Sequence, residues 1–128
     1  MSQENVEKVR AGFAAYNRGD LDAMLEGYDP EVEFVTLLLG NHRGKEALRG
    51  LYEENRKAVL GHKLEPQELI DAGDKVIALA RTGGAGRVSQ IALGDLIAFV
   101  FTIKDGLITR QQTLRNKEEA LEAAGLQE

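Results

Sequence analysis

The sequence predicts an α+β domain in which helices come first and an antiparallel sheet follows. Two observations carry this. Apolar residues recur at helical spacing in three early segments, and β-rich segments separated by turn signals fill most of the chain beyond about residue 63. The simplest arrangement is a curved sheet wrapped around three N-terminal helices, with a short C-terminal helix. Such a sheet leaves one cavity whose walls alternate with strand parity.

The first helix starts at Ser2, a capping hydroxyl followed by an acidic first turn. Val6, Val9, Phe13 and Tyr16 make its apolar stripe, and Asn17-Arg18-Gly19 ends it. Asp20 caps a second helix whose buried face is Leu21, Met24, Leu25 and Tyr28, with Asp29-Pro30 as its stop. Residues 31–39 form a strand that becomes apolar on both faces, and 40–44 form a loop. The third helix runs from about Lys45 to Val59. Residues 63–71 are extended, and Pro66 assigns them to a sheet edge or a strand start.

A meander completes the chain. Residues 75–82 form a strand, and Gly83-Gly84-Ala85-Gly86 a turn. A long strand over 87–103 is bulged near Gly94 and turns at Asp105-Gly106 into strand 107–115. Asn116, with Glu119 three residues on, caps the last helix, and Gly125 closes it. No linker or repeat divides residues 1–128, so one domain is expected.

Composition narrows the function. Asp plus Glu outnumber Lys plus Arg by 21 to 16, a net charge of −5, which disfavours binding to nucleic acid. There is no cysteine, so thiol chemistry and thiolate metal sites are excluded, and the two histidines form no ligand motif. No metal and no cofactor is expected. No apolar run is long enough to span a bilayer and the start lacks a signal-peptide core, so a cytoplasmic protein without membrane partners is expected.

The string FAAYNRGDLDAMLEGYDPEVEFV (13–35) resembles the opening of SnoaL-like domains of the nuclear transport factor 2-like superfamily. Its marks are a helix ending Asn-x-Gly-Asp, a second short helix, then Asp-Pro and a strand. His42-Arg43-Gly44-Lys45 resembles the entry to their third helix. The hairpin FTIKDGLITR and the tail EALEAAGL extend the likeness over nearly the whole chain. The resemblance implies a cone-shaped sheet around one pocket and a homodimer joined through the outer sheet face. It also implies a range of functions that the fold alone does not choose among.

Two catalytic templates of that superfamily fail here. The general-base aspartate of ketosteroid isomerases would fall on Val35, their oxyanion-hole tyrosine on Gly12, and the protonated aspartate of that hole on Ala98. None of these side chains transfers a proton. Limonene epoxide hydrolases offer an arginine, matching Arg81, but their carboxylates fall on Gly83 and Thr113.

Three readings stay open. One is a small-molecule-binding protein with a mainly apolar pocket, walled by Val35, Leu37, Leu48 and Ala98 and given polar contacts by Tyr52, Arg81, Gln111, Thr113 and Arg115. Its ligand would be apolar or amphipathic with a carbonyl or carboxylate, the latter paired with Arg81. The second is an isomerase, polyketide cyclase or hydrolase using Asp95, Glu33 or His42, each of which also reads as a solvated strand or loop residue. The third is a structural dimerisation module with a core filled by Leu37, Leu39, Leu48 and their neighbours. For a homodimer, Phe99, Phe101 and Ile103 share one strand parity opposite to Ala98 and form the expected outer patch.

Overall fold

A computed structural model describes residues 2–37, 40–85 and 96–126. Helix α1 spans Ser2–Asn17 and α2 Leu21–Leu25. Strands β1 (Tyr28–Thr36) and β2 (Gly40–Arg43) precede α3 (Lys45–Ala58). Strands β3 (Leu60–Ala72), β4 (Lys75–Ala85), β5 (Leu96–Lys104) and β6 (Leu107–Leu114) follow, and α4 (Lys117–Ala123) ends the chain. The strands form one curved, unclosed sheet in the order β2-β1-β6-β5-β4-β3.

Local chemistry sets the ends of these elements. The Asp20 carboxylate accepts from the Ala23 amide at 3.0 Å, and the Asn116 side chain accepts from the Glu119 amide at 2.9 Å. Asp105 and Gly106, at φ 52° and 79°, make the tight turn between β5 and β6, as Asp-Gly predicts. Edge strand β3 carries Pro66, where a missing amide donor is tolerated. The Asn17 side chain also holds the β3 backbone, donating to the Leu64 carbonyl and accepting from its amide, both at 2.8 Å. That pair ties the end of α1 to the sheet.

Three elements differ from expectation. The second helix ends at Leu25, and the chain enters β1 at Tyr28, because Tyr28 pairs with Ile108. The expected loop over 40–44 contains β2, which pairs back on β1 from Glu33↔Arg43 to Thr36↔Gly40. Gly83 and Gly84 continue β4, since Lys63↔Gly83 and Leu60↔Ala85 extend the β3 ladder. The meander is antiparallel, whereas β1 and β6 pair in parallel. Leu39, Gly86 and the expected bulge near Gly94 lie outside the described residues.

The parity of β5 is the main correction. Phe99, Phe101 and Ile103 are buried on the inner face, packed with Val9, Phe13, Val76, Ala78 and Ile108. The Phe13 ring meets Phe99 at 5.8 Å and Phe101 at 6.0 Å, both edge-on. Ala98 and Val100 face the other way, with Ile77, Leu79 and Ala120, beneath α4. Segment 97–101 is apolar on both faces, so alternation could not orient it. Bulk decides: the phenylalanines fill the wide space under α1, and Ala98 admits the close approach of α4. A homodimer through the three large side chains would require opening the core.

The corrected parity is checked by truncation. Phe101→Ala should lower unfolding free energy by about 3–5 kcal/mol, the cost of emptying a core aromatic site. A loss below about 1 kcal/mol in urea denaturation, the range of surface changes, would return Phe101 to the outer face.

Candidate functional site

On the inner face, three tyrosines converge from three elements. They are all the tyrosines of the chain: Tyr16 on α1, Tyr28 on β1 and Tyr52 on α3. Each is buried within an apolar stripe of its element and carries a hydroxyl that must be paired inside. The Tyr28 hydroxyl donates to Gln111 Oε1 at 2.5 Å, and Gln111 Nε2 donates to the Tyr52 oxygen at 2.9 Å. Gln111, 2% exposed, reaches this position because β6 pairs it with Phe101 and Phe34, both inner-face residues.

The Tyr16 oxygen lies 2.6 Å from His62 Nδ1. The ring of Tyr16 packs with its centroid 5.0 Å from that of Tyr52, and the Arg56 guanidinium carbon sits over the Tyr16 ring, 5.0 Å from its centroid. Arg56 also donates to the Tyr16 carbonyl at 3.1 Å, where the C-terminal end of α1 favours a cation.

Beside this cluster lies a cavity of about 460 Å³, a size typical of small-molecule sites. Its inner wall is Val9, Phe13, Tyr16, Tyr28, Tyr52, Leu64, Phe101 and Ile108. Its rim is formed by α1 and the α2–β1 connection, with the charged groups of Lys8, Arg18 and Glu26. Rim and wall differ in chemistry. The buried polar residues among those described are His62, Thr82 and Gln111, so no carboxylate is buried there. Among the described residues no group of three His, Asp or Glu could hold a metal ion, and no helix is long and apolar enough to cross a membrane.

The structure separates the site residues expected from sequence. Tyr52 lines the cavity, and Gln111 lies behind it as its hydrogen-bond partner. Thr113 shares the inner parity of Gln111, opposite Phe99. The others are elsewhere. Val35, opposite Gln112, and Glu33, opposite Arg110, belong to the outer face. Glu33 pairs there with Arg110 at 3.3 Å rather than with Arg81. Ala98 is under α4, and Arg81 is exposed and opposite Glu65, on the outer parity of Ile77 and Leu79. Leu37 is 49% exposed, so it fills no core, while Leu48 is fully buried. Arg115 is exposed and forks onto Glu119, drawing that carboxyl's pKa down through their hydrogen bonds. His42 is exposed and stacks on Phe34 at 5.4 Å. Asp95 lies outside the described residues.

Sequence reasoning treated Tyr16 and Tyr28 as core and gave His62 no role. Helical spacing marks a tyrosine as buried but does not say which partner its hydroxyl meets. The available signal was compositional: three tyrosines, each inside an apolar stripe, impose three buried hydroxyls on one core.

Burial raises the pKa of all three phenols, so they are neutral donors at ordinary pH. For Tyr16 the neighbouring Tyr52 adds to this and Arg56 opposes it. Hydrogen bonding with Gln111, then with Tyr28, partly offsets burial at Tyr52. Burial, then the charge of Arg56, lowers the pKa of His62 below its ordinary 6.5. As pH falls, the unfolded chain therefore takes up this proton before the folded one. Stability from neutral His62 is full above pH 6.5 and declines as pH drops through that value. Urea midpoints should accordingly fall between about pH 7.5 and about pH 5.5, and His62→Asn should shrink that fall. An equal fall in both proteins would contradict a buried neutral His62.

Comparison with known proteins agrees with this architecture. The family model described as "SnoaL-like domain" matches residues 9–111. Among solved structures, Bal32a from a soil-derived mobile gene cassette superposes with a TM-score of 0.79 at 23% identity, covering 95% of this chain and 96% of its own. A proposed polyketide cyclase from Sinorhizobium meliloti has a TM-score of 0.71 at 28% identity, covering 84% and 94%. TerC, co-crystallised with polyporic acid, has a TM-score of 0.74 at 22% identity, covering 95% and 98%. A search of curated protein sequences finds no significant match. With most of its length matched by one family model and its fold shared with these structures, the chain belongs to the SnoaL-like domain family.

Proposed function

We propose that the protein binds an uncharged, mainly apolar small molecule bearing at least one oxygen, in the cavity beneath α1. One observation carries this reading: a 460 Å³ cavity whose deep wall is aromatic and aliphatic, interrupted by tyrosines. Phe13, Leu64, Phe101 and Ile108 favour apolar bulk through area removed from water. A ligand carboxylate would meet no buried cation among the described lining residues, since Lys8 and Arg18 stand at the rim and Arg81 is on the other face of the sheet. A buried ion without a partner is costly, which favours a neutral carbonyl or hydroxyl over an acid. The contact expected between Arg81 and a ligand acid is replaced by this reading.

A second reading, an enzyme of the polyketide cyclase kind, is favoured by the 28% identity to the Sinorhizobium meliloti protein. In it the Tyr16–His62 pair would be the buried acid–base group.

The test uses tetralin and 1-tetralone, benzo-fused bicycles of similar size that differ by a carbonyl in place of one methylene. Titration followed by protein NMR should move resonances of Phe13, Tyr16, Tyr52 and Phe101 with both probes. No shift with either probe at millimolar concentration, or shifts confined to the α4 side of the sheet, would refute the binding reading.

A further inference from the structure

His62 is 2% exposed, and its Nε2 is buried without a hydrogen-bond partner among the described residues, while Nδ1 is 2.6 Å from the Tyr16 oxygen. Those observations constrain where the proton sits. A neutral imidazole carries one N–H and one lone pair. With the proton on Nε2, the ring would bury a donor that no described residue accepts, and genuinely orphaned buried N–H groups are rare. With the proton on Nδ1, the ring donates to the Tyr16 oxygen, and the unpaired atom is an acceptor.

That tautomer has a consequence for Tyr16. Its oxygen is then an acceptor toward His62, so its own O–H must point elsewhere. The neighbours within the cluster do not take it. Arg56 has no acceptor atom, and among the described residues Tyr52 meets Tyr16 through its ring and not through a hydroxyl hydrogen bond. All three tyrosines line the cavity, but Tyr28 and Tyr52 are bonded to Gln111, whereas Tyr16 has His62 as its side-chain partner.

From this geometry we infer that Tyr16 is a ligand-binding donor, its O–H aimed into the cavity toward a ligand carbonyl oxygen, with His62 as the positioning residue that holds it so. The inference deepens the proposed binding function and rests on it. It narrows the ligand to molecules that present an acceptor oxygen beside α1, and it gives His62 a role distinct from packing. Burial and the adjacent Arg56 keep the ring neutral, as the donor arrangement needs.

Two measurements test it. Nitrogen-15 NMR of the wild-type chain at neutral pH should find His62 Nε2 unprotonated and Nδ1 carrying the proton. In the titrations, 1-tetralone should bind up to about tenfold more tightly than tetralin, the value of one added hydrogen bond, and Tyr16→Phe should abolish the preference. A protonated Nε2, or a tetralone preference that survives in Tyr16→Phe, would overturn the inference while leaving the binding reading in place. Binding of neither probe by the wild type would overturn both. If Tyr16→Phe does not fold, the wild-type nitrogen spectrum still decides, because it requires no variant.

Discussion

The side-chain amide of Gln111 is the constraint on which the inner face depends. It is buried, and it spends its carbonyl on Tyr28 of β1 and its amine on Tyr52 of α3. A hydrogen bond adds only about 0.5–1.5 kcal/mol, but leaving a buried partner unpaired costs about 1–3 kcal/mol. A slip of β6 by one residue would send Gln111 to the outer face and strand two buried phenols. The parallel pairing of β6 with β1, the placement of Phe101 opposite Gln111 and the seating of α3 over the sheet are all compatible with that one arrangement. The cavity inherits its polar side from it.

Much of the fold was legible because local chemistry points one way. The Asp20 and Asn116 caps, the Asp-Gly turn and Pro66 at an edge each have a local cause, and their elements are where those causes put them. What failed was decided by long-range packing. Segment 97–101 is apolar on both faces, so which face meets α1 depends on the volume α1 leaves, a quantity absent from alternation. Strand β2 is short and fully exposed, and only its pairing with β1 makes it a strand.

The site was legible in fewer places. Tyr52 and Gln111 were expected on the inner face through resemblance, and there they share one hydrogen bond. The expected walls Val35 and Ala98 and the contact Arg81 were not on the cavity side, because landmark matching placed residues in a family frame without testing the parity of this chain. Tyr16 and His62 were missed for a different reason. Their pairing joins α1 to the first residues of β3, and no spacing rule links positions so far apart in sequence.

The fold accommodates both binding proteins and enzymes, so the reading turns on what the cavity can solvate. Tyrosine hydroxyls and apolar walls suit neutral oxygenated ligands. The most direct test of that claim is a crystal structure of the chain grown with 1-tetralone. The account predicts the bicycle between Phe13 and Phe101, with its carbonyl on the tyrosine side of the cavity. A molecule ordered instead on the outer face, against Arg81 or α4, would contradict it.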